Sequence, residues 1–172
     1  MLKNGLFIFA FEIFFLSFAV LDTKAQSFLK DNEIPKDLVI TLERTTCFGN
    51  CAAYKLIIDN TGKVVFEGYN FTETKGKAEK IVTQEQLKRM IVYFEKVRFF
   101  ELNDKYQDEK DGCTWLVTDH PSEIISIQIN GKTKEINHYF GCGAGNPTKM
   151  LGELGIKIDE IVETKRWIGE QK

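Results

Sequence analysis

Two stretches of this chain, AYKLIIDNTGKVVFEGY from Ala53 and IISIQINGKTKEINHYF from Ile124, are built alike: alternating apolar residues, an Asn/Gly turn, then a return run ending in an aromatic. Alternation with period two puts successive side chains on opposite faces of a strand, so each stretch reads as a half-buried antiparallel hairpin. A helix needs apolar residues every three to four positions, and neither stretch offers that.

A further strand precedes the first hairpin. In DLVITLER (Asp37 to Arg44), Leu38, Ile40 and Leu42 fall on one face and Val39, Thr41 and Glu43 on the other. Past the hairpin, Thr83 with Gln86 forms a capping box and Val82 with Leu87 a hydrophobic staple, which together predict a helix start. Leu87, Met90, Ile91, Phe94 and Val97 then make one apolar helical stripe. The second half repeats the plan. Cys113 to Asp119 reads as a strand that Pro121 breaks, the second hairpin turns at Asn130-Gly131, and Asn146-Pro147 predicts a cap and first helical residue. Met150, Leu151, Leu154, Ile158, Ile161 and Val162 carry the second helical stripe, which Gly152 and Gly155 threaten to split, and Trp167 is expected to pack on the body of the domain. The expected architecture is α+β, an antiparallel β-sheet with two helices packed on one face, assembled from two βββα-like halves. The charged segment Asn103 to Gly112 between the halves is expected to be an exposed linker.

Residues 1–25 read as a signal peptide: Lys3, an apolar run from Leu6 to Leu21, and Thr23-Lys24-Ala25-Gln26 with short residues before the cut. The run is shorter than the ~20 residues a membrane span requires and carries Glu12 at its middle, which lipid disfavours. Cleavage after Ala25 leaves residues 26–172 as a single α+β domain with a core over 38–167, in a periplasmic or secreted location. No stable membrane insertion is expected after cleavage. The net charge of −2 and the lack of a basic stripe argue against nucleic acid as a partner.

All four cysteines, Cys47, Cys51, Cys113 and Cys142, follow the leader, and an even number in an exported chain points to disulfides. Cys47 with Cys51 and Cys113 with Cys142 is the pairing the strand plan favours; a crossed pairing that staples the halves together is the alternative. A thiol oxidoreductase would place C-x-x-C at the start of a helix, which lowers the thiol pKa, whereas here C-x-x-x-C runs into a strand. Structural zinc usually draws on two closely spaced cysteine pairs, and only one is present. No metal and no cofactor is expected.

The remaining candidates are side chains at strand ends. His120 in TDHP and His138 in NHYFGC would form a hydrolase or metal site with Asp119 if their strands were neighbours, although Asp119 before a proline turn also reads as an ordinary turn residue. Arg44 continues the inward face of its strand and reads as an ion pair, with Asp119 or a carbonyl as partner, or as a ligand for an anion. Gly141, Gly143 and Gly145 lack the order of a dinucleotide-binding loop.

Together, RTTCFGNCAAY, DNTGKVVFEG, TDHP and GKTKEINHYFGC resemble a family of exported bacterial proteins, domain of unknown function 6438, from Leu38 to Trp167. Its C-F-G-x-C-P-x-Y element is matched by Cys47, Phe48, Gly49, Cys51 and Tyr54, with Ala52 where proline is usual. The resemblance implies export and groups the cysteine, arginine and aspartate elements into one design; it implies no reaction. The reading is therefore a non-catalytic binding or structural module of the cell envelope, its partner an envelope or extracellular protein and Phe48 its anchor. The alternatives are a redox protein using Cys47 and Cys51, or a hydrolase around Asp119, His120 and His138.

Overall fold

Strand β1 (Val39–Arg44) pairs antiparallel with β2 (Ala53–Asp59) on one side and with β7 (Ser122–Ile129) on the other, so the strand nearest the expected leader lies in the interior of the sheet. In this computed structural model, which describes residues 27–170, the full order is β4-β3-β2-β1-β7-β8-β5, with β3 (Lys63–Asn70), β4 (Gly76–Ile81), β5 (Lys105–Tyr106) and β8 (Lys132–Tyr139). Only β5 pairs in parallel, along the edge of β8. The expected leader, residues 1–25, lies outside the described residues.

Both hairpins form where the alternation places them. Asp59 organises the first turn: its carboxylate accepts from the Thr61 amide and hydroxyl and from the Lys63 amide. Burial would raise its pKa, and these donors hold it below the ordinary carboxylate value. Gly62 has φ +89°, and a side chain there would strike the Val82 carbonyl, so glycine is required.

Helix α1 (Gln84–Lys96) starts at the predicted capping box: the Gln86 amide donates to Thr83 Oγ1 (3.2 Å) and the Thr83 amide to Gln86 Oε1 (2.8 Å). Its stripe, Leu87, Met90, Ile91 and Phe94, is fully buried with Leu38, Ile40, Leu42, Leu56, Ile58, Ile125 and Ile127 from the sheet. Each such aliphatic side chain contributes about 1.5–3 kcal/mol by leaving water. Helix α2 (Asn146–Val162) lays Leu151, Leu154, Ile158 and Val162 on the same core. Within the short helix α3 (Lys165–Ile168), Trp167 is buried and stacks on Phe66 at 4.9 Å, as the sequence predicts. The opposite sheet face is open to water, the usual state of an antiparallel sheet covered on one side. Its cross-strand row Glu43, Lys55, Glu67, Lys77 alternates in charge.

The α+β class and the placement of both helices on one face hold, but the halves differ in detail. The first gains β4, whose GKAEKI carries too little apolar signal to be read as a strand. In the second, the strand expected from Cys113 to Asp119 is reduced to β6 (Trp115–Leu116), which pairs with β9 (Cys142–Gly143) in a separate two-stranded sheet. Backbone bonds from Thr114 to Gly143 and from Val117 to Gly141 hold this segment to the glycine-rich turn, away from the main sheet. The Asn103–Gly112 linker is not wholly exposed either: Tyr106 of β5 is buried and its hydroxyl accepts from the Asn103 amide. Helix α2 runs unbroken through Gly152 and Gly155, and its cap is Gly145, one residue earlier than predicted. Burial of its long apolar face outweighs the cost of about 1 kcal/mol per glycine.

Candidate functional site

The inward register that carries Leu38, Ile40 and Leu42 brings Arg44 to the end of the sheet, beside two acids. Its Nη1 lies 2.9 Å from Glu123 Oε2, while Nε and Nη2 both donate to Asp159 Oδ2, at 3.1 and 2.8 Å. The Glu123 contact is one of charge, since its Oε2 receives no directed hydrogen bond from the described residues. Tyr54 is buried, and its hydroxyl donates to Asp159 Oδ1 (2.7 Å), which also accepts from Thr164 Oγ1 (2.9 Å). Phe140 lies against the guanidinium, 5.6 Å from ring centre to Cζ. Burial pushes the Tyr54 hydroxyl well above its ordinary pKa, and the Asp159 charge adds to this. Burial works against the Arg44 charge, but Glu123 and Asp159 more than offset it, and the pKa stays above the ordinary arginine value.

Only glycine fits at position 155 on the facing turn of α2, because a side chain there would strike the Glu123 carboxylate. The cluster thus ties β1, β2, β7 and α2 at one point. Its acids were not singled out from the sequence, and Asp119, the partner suggested for Arg44, lies elsewhere. The signals were present: Glu123 shares strand parity with Ile125 and Ile127, and Asp159 stands one turn after Gly155 on the helix. Arg44 is thus in an ion pair with both Glu123 and Asp159.

His138 is buried on β8, its Nδ1 3.4 Å from Glu123 Oε1 and its ring edge-on to Phe140. Asp119 and His120 are exposed in the loop before β7. The Asp119 carboxylate accepts from Thr118 Oγ1, and the His120 amide donates to Tyr139 Oη. Among the described residues no side-chain contact joins either of them to His138, and no group of three or more His, Cys, Asp or Glu is placed to hold a metal ion.

Cys47 is bonded to Cys51 and Cys113 to Cys142, with Cα separations of 5.7 and 5.3 Å; the crossed alternative does not occur. The first bond closes a tight loop that presents Phe48 with 91% of its surface exposed. Asn50 of this loop shares a surface depression with Phe71, which is 42% exposed, and with Ile168. The polypeptide after Cys51 enters β2, so the cysteine pair does not open a helix.

The fold and site define a disulfide-clamped α+β domain with a partly buried arginine–carboxylate cluster. The chain belongs to the family described as Domain of unknown function (DUF6438), whose model matches residues 38–162, from the residue before β1 to the end of α2. That span holds both disulfides and the whole cluster except Thr164. No curated protein matches the chain in sequence.

Proposed function

We propose that this protein is an exported, disulfide-stabilised binding module of the cell envelope, residues 26–172 after loss of the leader, that engages a protein partner through the Cys47–Cys51 loop. The observation that carries this reading is Phe48: a large aromatic side chain 91% exposed at the tip of a covalently closed loop. Aromatic anchors on preorganised loops bind well because little conformational freedom is lost on docking. Asn50 of the same loop borders a surface depression that Phe71 also lines. Two disulfides are in keeping with an oxidising compartment, and no described helix is long and apolar enough to cross a membrane.

The test uses the protein purified after export. Its intact mass should correspond to a chain starting at Gln26 with no free thiol. Crosslinking in an envelope extract should then yield a defined partner with the natural chain and lose it with Phe48→Ser. A partner retained by Phe48→Ser would overturn the assignment of the loop.

A further inference from the structure

We propose that the groove between β6, the turn after β8 and helix α2 is a saccharide-binding site, in which a sugar ring stacks on Trp115 and hydrogen-bonds to His138. The site is separate from Phe48 and does not depend on the reading of that loop.

The groove, about 470 Å³, falls within the range of small-ligand sites. One wall is Trp115, which is 56% exposed yet held in place. Its backbone pairs with Gly143, and its indole fills the space a side chain at 143 would need, so only glycine fits there. The adjacent Cys113–Cys142 bond fixes both segments. An aromatic face held rigid and open to water offers a ligand apolar contact area at little entropic cost.

Beside it lie Phe140 and His138, edge to face at 5.0 Å. His138 turns Nδ1 toward Glu123, and Glu123 is held by Arg44, so the imidazole is fixed from behind. Its Nε2 and the Trp115 indole N–H have no hydrogen-bond partner among the described residues, although both rings border the groove. Gly152 faces the same space: a first side-chain carbon there would stand at ordinary contact distance from Phe140 and His138, 3.9 and 4.0 Å, and a longer side chain would extend over them. On the rim, Lys149 and Glu153 are exposed and form no ion pair among the described residues, despite standing one helical turn apart.

These features together select the ligand. A pyranose ring has a C–H face whose partial positive charge suits the negative face of an indole, and hydroxyls that both donate and accept. Such hydroxyls can use an imidazole nitrogen, an indole N–H, a lysine and a carboxylate together. A phosphate or carboxylate ligand would meet Glu153 at the rim and Glu123 behind His138. An organic cation would meet Lys149 and find Phe140 already occupied by Arg44.

The mature full chain is titrated calorimetrically with the N-acetylglucosamine trimer, maltotriose and cellotriose, with tryptophan emission followed in parallel. Trp167 is buried, so a change in emission on binding reports Trp115. The expected result is saturable binding of at least one trimer. Trp115→Ala should weaken it at least ten-fold, and so should Gly152→Leu, which fills the groove with a better helix former and should unfold no earlier than the natural chain. Absence of saturable binding for all three trimers overturns the proposal, as does unchanged affinity in both folded variants.

Discussion

Arg44 and Phe48 stand on either side of Cys47, and their fates are opposite. The charged residue is drawn inward between Glu123 and Asp159, whereas the aromatic one is 91% exposed. The cause is where the strand stops. Up to Arg44 the register of β1 dictates an inward side chain, and the last ladder bond runs from the Thr45 amide to Ser122. Beyond it the Cys47–Cys51 bond, not a sheet register, decides direction. A charge can therefore serve as framework and a phenylalanine as contact surface within one turn of chain.

The same contrast separates the two disulfides. Cys113–Cys142 is buried and spans 29 positions, while Cys47–Cys51 spans four and lies at the surface.

The largest effect should come from the inward side of the comparison. Arg44→Ala leaves Glu123 buried without its counter-charge, and a loss of about 3–5 kcal/mol is expected in urea unfolding. A loss below about 1 kcal/mol would mean the cluster is not framework, and the contrast with Phe48 would collapse. Next, replacing Cys113 and Cys142 with serine should cost about 3.5 kcal/mol, against about 2 kcal/mol for Cys47 and Cys51, because the longer loop restrains the unfolded chain more. The reverse order would show that the exposed loop organises the fold.

Tyr54→Phe removes a hydrogen bond to a carboxylate and should cost about 1.5–3 kcal/mol near neutral pH. Because the folded pKa of Tyr54 is raised, its contribution is fully present below the unfolded tyrosine value of about 10 and is lost as pH rises above it. The gap between natural protein and Tyr54→Phe should therefore narrow above pH ~10; a constant gap would mean Tyr54 is not held protonated. Phe48→Ser should be the smallest, within about 0.5 kcal/mol in the same unfolding assay, since almost nothing of the side chain is buried. A larger loss would place Phe48 in the framework with Arg44.

Legibility followed the range of the interactions. Both hairpins, the α1 cap and the α2 stripe rest on contacts a few residues apart, and all were readable. β4 was not, because its Lys and Glu mask the alternation, and β6 was misread because CTWLVTD has the composition of a strand that the glycine-rich turn captures instead. Glu123 carried a readable sign, an acid at an inward position, but not the identity of its partner.

By itself the sequence determined the α+β class, the inward direction of Arg44 and the preference for paired disulfides, since strand period, capping and cysteine count are local properties. Only the tertiary structure decided that Arg44 meets Asp159, 115 positions away, that His138 faces Glu123 and not Asp119, and that Trp115 borders a groove with His138. Those outcomes depend on which strands become neighbours and how α2 crosses them, and that is set by burying one shared core rather than by any single segment.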